Sequence, residues 1–298
     1  MDKWYEVPGK AGTNVIYSRV RLVRNLKEYP FPGRLTKEQS AELSEKLLGG
    51  LTGIASMDRM QYRFTHLERM GDLEKTALLE RRAINRSVMK KKDPTGMILS
   101  EDESTAILLN GDDHVRIQTL QTGLTLEQLY ERADKIDDYI SERFDYAFDE
   151  KYGYLTSFPT NVGTGLRAAV VLHLPMLSKN KNFNSLVADM GRFGTQVRGV
   201  YGEGAENFGS LYQISNQKTL GQTEREIIDI VRKAALELDV QERRVRREYR
   251  QRKPVQAADE CYKSYGVLKY ARRLTREDGM EFLSQIMTGI TDGILKVK

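Results

Sequence analysis

The 298-residue sequence predicts an α+β fold in which helices flank an antiparallel sheet. Several β-like stretches follow one another with no helix between them, which favours an antiparallel sheet over alternating β-α-β units. Three helices are marked by N-capping residues that are followed by apolar residues at helical spacing. Apolar residues make up 40% of the chain and charged residues 30%, a balance typical of a folded globule with a sizeable core.

Each of the three helices begins at a capping box, in which a threonine is followed three residues later by glutamine or glutamate. The boxes are Thr36 with Gln39, Thr125 with Gln128, and Thr223 with Glu226. The third helix has a long apolar stripe, which consists of Ile227, Val231, Ala234, Leu238, Val245 and Tyr249. We expect this helix to leave a first domain, residues 1–250, and to lead into a short helical C-terminal segment, residues 251–298.

The predicted strands lie at residues 15–24, 105–110, 114–120, 153–157, 166–174, 193–201 and 210–216. Because side chains alternate along a strand, Arg19 and Arg21 share one face of the first strand. Val20 and Leu22 share the other face, which predicts that one side of this strand is apolar and the other strongly basic.

Further arginines stand at strand edges or turns. Arg116 lies in the strand 114–120, Arg167 opens the strand 166–174 after a glycine turn, and Arg198 precedes the glycines at 202–204. A guanidinium offers forked donors to phosphate oxygens and keeps its charge, so these arginines together predict a polyanion site. The alternative is that each arginine forms an unrelated surface ion pair.

The glycine-rich run at residues 161–168 has the G-x-G-x-x-A spacing of a dinucleotide-binding loop. Such a loop must open a helix, whereas residues 169–174 are strand-like and end at Pro175, so this interpretation fails. A turn whose backbone N–H groups bind a phosphate is the hypothesis that we keep.

Several other function classes find no support. The longest apolar run near the middle of the chain spans residues 168–172, far short of the ~20 residues of a membrane span. The first six residues lack the apolar stretch of a secretory signal. The single cysteine, Cys261, excludes an internal disulfide framework, the three histidines have no metal-ligand spacing, and no P-loop occurs. We therefore expect a cytoplasmic protein with no membrane partner.

Residues 241–253 hold seven basic and two acidic residues, which accounts for the net charge of +5. A nucleic-acid-binding surface is one hypothesis for this run. A solvated helix face is the other, and we favour it because the rest of the chain is neutral in sum.

Five segments together resemble the guanidino (phosphagen) kinase superfamily. The run S-R-V-R at residues 18–21 and the run N-G-D-D-H-V-R at 110–116 are similar to the family's S-R-V-R and N-E-E-D-H-x-R. The fifteen residues G-Y-L-T-S-F-P-T-N-V-G-T-G-L-R at 153–167 resemble its G-Y-L-T-x-C-P-x-N-x-G-T-G-L-R. The runs R-G-V-Y-G-E-G at 198–204 and L-Y-Q-I-S-N at 211–216 resemble R-G-T-x-G-E and Y-x-I-S-N. The segments keep the family's order, and the longest of them is highly specific.

The resemblance implies a saddle-shaped antiparallel sheet flanked by helices and a phosphoryl transfer from ATP, with Mg²⁺, to a guanidino group. It implies that the five arginines clamp the ATP phosphates, and it assigns no residue as a metal ligand. Asp112 falls on the family's carboxylate base and Glu203 on a second carboxylate that holds the guanidinium. A base is required because the guanidinium pKa lies above ~12. The implied nucleotide-binding positions are Ser18, Arg19, Val20, Arg21, Arg82, Arg116, Arg167, Ala168, Ala169, Arg198, Gly199, Val200, Tyr201 and Gly202.

Within the superfamily the sequence is most similar to the bacterial protein-arginine kinases. Only residues 1–17 precede Ser18, so we do not expect the helical domain that helps other members to enclose a small substrate. The run Y-G-E-G at 201–204 also resembles the protein-arginine kinases. This resemblance implies protein substrates with exposed arginine and a role in the stress response. The implied partners are a transcriptional repressor, an activating zinc-finger adaptor and the Clp protease, and a homodimer is a further expectation.

The sequence departs from the family at several positions. Gly111 and Asp112 stand where the family has two glutamates, Phe158 stands for its reactive cysteine and Val200 for its threonine. The R-D-x-x-R-A run that protein-arginine kinases use to bind phosphoarginine is not found. Two alternatives therefore stay open. One is an impaired or pseudo-kinase that binds ATP or phosphoarginine proteins as a regulator, and the other is a nucleic-acid binder acting through residues 241–253.

Overall fold

The computed structural model describes residues 1–9, 12–58, 60–201 and 207–296. Its helices are α1 (Lys37–Gly50), α2 (Ala55–Asp58), α3 (Asp72–Glu80), α4 (Arg86–Lys90), α5 (Leu126–Ser141), α6 (Phe183–Arg192), α7 (Glu224–Arg252), α8 (Pro254–Tyr270) and α9 (Arg276–Thr291). Its strands are β1 (Val15–Arg24), β2 (Tyr62–His66), β3 (Gly96–Ser100), β4 (Thr105–Leu109), β5 (Val115–Thr122), β6 (Phe148–Asp149), β7 (Gly153–Tyr154), β8 (Leu166–His173), β9 (Thr195–Gly199) and β10 (Leu211–Asn216). Among the described residues, no helix is long and apolar enough to cross a membrane.

The predicted α+β class and the antiparallel sheet flanked by helices are confirmed. Eight strands hydrogen-bond in the order β2-β3-β4-β5-β1-β8-β10-β9. The pairs β2–β3, β3–β4, β4–β5, β8–β10 and β9–β10 are all antiparallel. The sequence pattern did not predict β2 and β3. Strand β3 is buried along its whole length, so it lacks the polar–apolar alternation by which a half-buried strand is recognised.

Contacts divide the chain into two compact units. The first comprises Met1–Pro8, Ser18–Ala168 and Lys218–Asp229, and the second comprises Gly9–Tyr17, Ala169–Gln217 and Ile230–Lys298. The helical character of the C-terminal segment is confirmed by α8 and α9. The domain boundary at residue 250 stays a prediction.

In the first unit, α3 and α4 pack on β3 and β4. The shared apolar cluster consists of Leu67, Leu78, Ala83, Ile84, Val88, Met97, Leu99, Ala106 and Leu108. Helix α1 contacts β3 and β4, and α5 contacts β5. The apolar face of α5 is buried and consists of Leu126, Leu129, Ala133, Ile136 and Ile140, followed by Phe144 just beyond the helix.

The capping boxes at the starts of α1 and α7 are confirmed, but the box predicted at Thr125 is wrong. The backbone N–H of Thr125 donates to the hydroxyl of Ser18 at 3.1 Å. The Gln128 side chain would need that same N–H, so the bond to Ser18 replaces the box. This bond anchors the start of α5 to β1.

In the second unit, α6 packs on β9 and α8 packs against α9. The buried face of α7 differs from the predicted stripe, because Ala235 is buried where Ala234 was expected. The same face continues through Glu242 and Arg246, which are 0% and 4% exposed. The prediction that residues 241–253 form a wholly solvated face is therefore wrong at Glu242 and Arg246.

Candidate active site

Four arginines act on one another in the first unit. Arg19 and Arg21 come from β1, Arg116 from β5 and Arg167 from β8. The pKa of Arg21 is lowered well below its ordinary value, first by the positive charge of Arg19, then by burial, and then by Arg116 and Arg167. The negative charge of Asp112 opposes this shift. Four guanidinium groups close enough to repel one another have more positive charge than Asp112 and Asp113, the carboxylates that oppose these shifts, can neutralise.

Arg116 is the most deeply buried of these four, with 7% of its surface exposed. Its pKa is lowered to about 10, chiefly by burial and further by Arg19, whereas Asp112 and Asp113 raise it. Its Nη1 lies 3.7 Å from Oδ2 of Asp112. The Nε atoms of Arg116 and Arg21 are buried and have no hydrogen-bond partner in the described part of the chain. Because buried donors are almost always satisfied, this arrangement fits a polyanion such as a triphosphate.

The glycine turn before β8 fixes Arg167. The Arg167 Nε donates to Oδ1 of Asn161 at 3.0 Å, and its Nη2 donates to the carbonyl of Thr160 at 2.7 Å. The same carbonyl accepts from the hydroxyl of Thr219 at 3.0 Å. Gly163 has a φ of 111° and packs so closely on the backbone of Thr219 that a Cβ would collide with it. The glycines of the fifteen-residue run therefore let this loop pack tightly and hold an arginine side chain in place.

Asp112 lies in the turn between β4 and β5, and one of its carboxylate oxygens is occupied. Asn85 donates to Oδ2 of Asp112 at 2.7 Å, and Arg116 approaches the same oxygen. Lys91 holds the preceding backbone by donating to the carbonyl of Gly111 at 3.0 Å. The other oxygen, Oδ1, has no hydrogen-bond partner among the described residues. Asn85 and Lys91 position this turn but could not be recognised from the sequence, since neither belongs to a motif next to Asp112.

The two residues after Asp112 are structural. Asp113 is 2% exposed and accepts from the Asn25 amide at 2.7 Å. The backbone N–H of Leu26 donates to Nδ1 of His114 at 2.9 Å, so Nε2 carries the proton and donates to the carbonyl of Pro30 at 3.0 Å. Burial lowers the pKa of His114 to about 4, which keeps it neutral. His114 is therefore a structural residue that links two backbone segments.

The remaining predicted positions of the first unit are mostly buried. Val20 and Ala168 are buried strand residues, as is Ala169 at the start of the second unit. The Ser18 hydroxyl is buried and donates to the carbonyl of Gly123 at 2.7 Å, so it supports the strand that bears Arg19 and Arg21. Arg82 has a φ of 69°, and its carbonyl accepts from the amide of Gln118 at 2.6 Å. Nucleotide contacts at these positions stay predictions.

The remaining predicted positions belong to the second unit or lie outside the described residues. Those that the structure describes are Arg198, Gly199, Val200 and Tyr201. Arg198 is exposed in β9, where it stands opposite Gln213 of β10. Gly202 and Glu203 lie outside the described residues. The contribution of Arg198 and Glu203 to the site stays a prediction.

Phe158, which occupies the position of the family's reactive cysteine, is not part of the core. Phe158 is 51% exposed and precedes the short 3₁₀ turn that begins at Pro159. Its carbonyl accepts from the hydroxyl of Thr156 at 2.7 Å. Cys261, by contrast, is 3% exposed, and burial raises its pKa.

The family model of the ATP:guanido phosphotransferase C-terminal catalytic domain matches residues 46–245. The chain belongs to this family. It is 39% identical to the protein-arginine kinase of Desulforamulus reducens over 299 residues, which is 99% of this chain and 83% of that protein. It is 38% identical to the protein-arginine kinase of Bacillus velezensis over 296 residues, which is 99% of this chain and 81% of that protein. The resemblance inferred from the motifs is confirmed.

Two solved structures support the fold. A lombricine kinase superposes with a TM-score of 0.68 at 24% identity, covering 77% of this chain and 66% of that chain. The duplicated taurocyamine kinase from Schistosoma mansoni superposes with a TM-score of 0.71 at 24% identity, covering 88% of this chain and 40% of that chain. At this identity the likeness shows the fold alone.

Proposed function

We propose that this chain transfers a phosphoryl group from ATP to the guanidinium of arginine side chains in proteins. The observation that carries the proposal is the cluster of Arg19, Arg21, Arg116 and Arg167, in which mutual repulsion and burial lower the pKa of Arg21 and Arg116. Membership of the ATP:guanido phosphotransferase family supports the reaction class. The relatives named protein-arginine kinase support a protein as the substrate.

The arginine cluster is suited to hold phosphate oxygens. ATP supplies the phosphoryl group, and each charge-assisted contact from Arg19, Arg21, Arg116 or Arg167 would stabilise it by about 1.5–3 kcal/mol. Phosphoryl transfer needs alignment and charge neutralisation rather than covalent help from the protein. Arg167 is already held by the loop at 160–161, so little rotamer entropy is lost when it binds.

Asp112 is the proposed base. As the substrate nitrogen bonds to phosphorus, its proton must leave, and a carboxylate oxygen within hydrogen-bond reach can accept it. Oδ2 of Asp112 already faces Asn85 and Arg116, so Oδ1 is the oxygen that takes the proton. Glu203 remains the predicted second carboxylate that orients the guanidinium.

Mg²⁺ fits this site as a companion of the nucleotide. Within the described residues no group of three or more His, Cys, Asp or Glu could hold a metal ion. Protein-bound Mg²⁺ commonly keeps several waters and takes only one or two carboxylates together with substrate phosphates. We therefore propose that Mg²⁺ enters with ATP, and we assign no residue to it.

The expectations about substrates, partners and cellular location rest on the resemblance to the protein-arginine kinases. We propose protein substrates with exposed arginine, a stress-response role, and partnership with a repressor, a zinc-finger adaptor and the Clp protease. A cytoplasmic location and a homodimer belong to the same set of predictions. No nucleic-acid partner is part of the proposal.

A regulator that binds ATP without transferring phosphate is the second candidate. Asp112 is one methylene shorter than the family's glutamate, and the exposed ring of Phe158 supplies no negative charge beside the substrate. These differences from the family, at Asp112 and Phe158, would affect phosphoryl transfer and leave the arginine cluster intact.

Labelled ATP and two versions of one substrate protein distinguish these functions. The second version has every arginine replaced by lysine, which keeps the charge. We expect label on the arginine version alone, and we expect acid to remove it, because phosphoarginine is acid-labile. ATP binding without any label transfer would instead establish the regulator, and acid-stable label would overturn the proposal.

A further inference from the structure

Residues 241–253, which the proposed active site does not use, form part of a cavity in the second unit. Four arginines of α7 line it, namely Arg243, Arg246, Arg247 and Arg250, together with Asn14 and Asp292. Its volume is about 220 Å³, room for several water molecules at about 30 Å³ each. We propose that this cavity is a second anion-binding site, which takes a small phosphate-type anion.

The helix places these arginines together. Their spacing of three and four residues brings them to one face of α7. Arg246 is 4% exposed and is fixed on both sides: its Nη1 donates to Oδ1 of Asn14 at 2.6 Å, and its Nη2 donates to the carboxylate of Asp292. Arg250 donates to the carbonyl of Asp292 at 2.8 Å. At least two of the four guanidinium groups are thus held in place without a ligand.

The charges around the cavity do not balance. Arg243 pairs with Asp239 at 2.9 Å, and Arg246 pairs with Asp292. Arg250 lies 4.0 Å from the carboxylate that Arg246 already occupies. Arg247 has no ion pair among the described residues. Glu242 also acts on Arg246, but burial raises its pKa to about 7, so at neutral pH it carries only part of a negative charge. At most three carboxylates therefore face four arginines, and the surplus positive charge together with unused N–H donors suits a tetrahedral anion.

The shape of the site favours a small anion over a nucleic acid. A nucleic-acid surface needs exposed cations that follow a chain of phosphates. Here the cavity is also lined by Asn14 and Thr291, which come from other segments of the chain, and its lining includes the buried side chain of Arg246. Arg244, which is exposed on the same helix, does not line the cavity.

Calorimetric titration of the full chain with inorganic phosphate tests the proposal. The titration uses an Arg167→Ala background, which weakens phosphate binding at the first-unit cluster, and chloride keeps the ionic strength constant. We expect saturable binding that Arg247→Gln weakens at least fivefold and that Arg250→Gln weakens similarly. Arg244→Gln is the matched control, since it removes the same charge from the same helix, and it should leave binding unchanged.

Three results would overturn the proposal. The first is a lack of saturable phosphate binding in the background protein. The second is an equal loss of binding in Arg244→Gln and Arg247→Gln, which would show that phosphate binding depends only on the net charge of the protein. The third comes from a parallel titration with single-stranded DNA. If DNA binds with a steep salt dependence and Arg244→Gln weakens it as much as Arg247→Gln does, residues 241–253 form a nucleic-acid surface.

Discussion

Replacement of Arg116 by methionine should stabilise the ligand-free protein. Burial is the main cause that lowers the pKa of Arg116 from its ordinary value to about 10. One pKa unit corresponds to about 1.4 kcal/mol, so the charged side chain is about 3 kcal/mol less stable in the folded protein than in water. When folding lowers the pKa of a cationic group, the group disfavours folding at every pH below the pKa of the folded state. This penalty is therefore fully present at neutral pH. Methionine removes the charge and keeps much of the volume, and we expect the free energy of unfolding to rise by about 1–3 kcal/mol.

Urea unfolding of the parent and the variant, with and without ATP, measures this effect. ATP should raise the unfolding free energy of the parent by mass action, and this increase should shrink in Arg116→Met. Arg24→Met is the matched control. Arg24 is also buried, but it donates twice to Asp137, at 2.7 and 3.0 Å, and lies 3.6 Å from the ring centroid of Tyr154. Loss of this compensated arginine should destabilise the protein by about 3–5 kcal/mol. Equal destabilisation by both substitutions would refute the idea that Arg116 is a buried charge without sufficient compensation.

Three further substitutions test single groups. Asp112→Asn should keep ATP binding and abolish transfer in a label-transfer assay, because an amide cannot accept the proton, and unchanged transfer would place the base elsewhere. Phe158→Cys should raise the transfer rate several-fold and make it sensitive to iodoacetamide. The parent should resist the reagent because its single thiol, Cys261, is buried, and inactivation of the parent would contradict this. Burial raises the pKa of Glu242 from 4.5 to about 7, so its contribution to stability is fully present below pH 4.5 and is lost as the pH rises through 7. Glu242→Gln should therefore flatten the pH dependence of the unfolding free energy between pH 4.5 and about 7, and an unchanged profile would show that Glu242 does not cause it.

Much of the fold follows from local patterns in the sequence. Alternation placed Arg19 and Arg21 on one face of β1, and Val20 and Leu22 on the other are indeed buried. The apolar residues of α5 likewise recur at helical spacing, and they are buried. Strand β3 was missed because a short run buried on both faces has no period to distinguish a strand from a helix.

The site was predictable only where residues form a motif. Asn85 and Lys91 act on the turn at residues 111–112 across gaps of 27 and 20 residues, and no local pattern marks such partners. The same holds for Arg246, whose partners Asn14 and Asp292 lie far away in the chain. Periodicity predicts that a helix position faces inward, but it cannot show that a buried charge will find its partner there.

Equilibrium binding of ATP, ADP and AMP tests the central claim most directly, since the claim is that the arginine cluster holds the phosphates. Affinity should fall from ATP to ADP to AMP as phosphate contacts are lost. Arg167→Ala should reduce this difference by one contact, about 1.5–3 kcal/mol, whereas Arg63→Ala, which removes an exposed arginine of the same unit, should leave it unchanged. Equal affinity for ATP and AMP in the parent, or an Arg167→Ala variant that binds ATP as the parent does, would contradict the account.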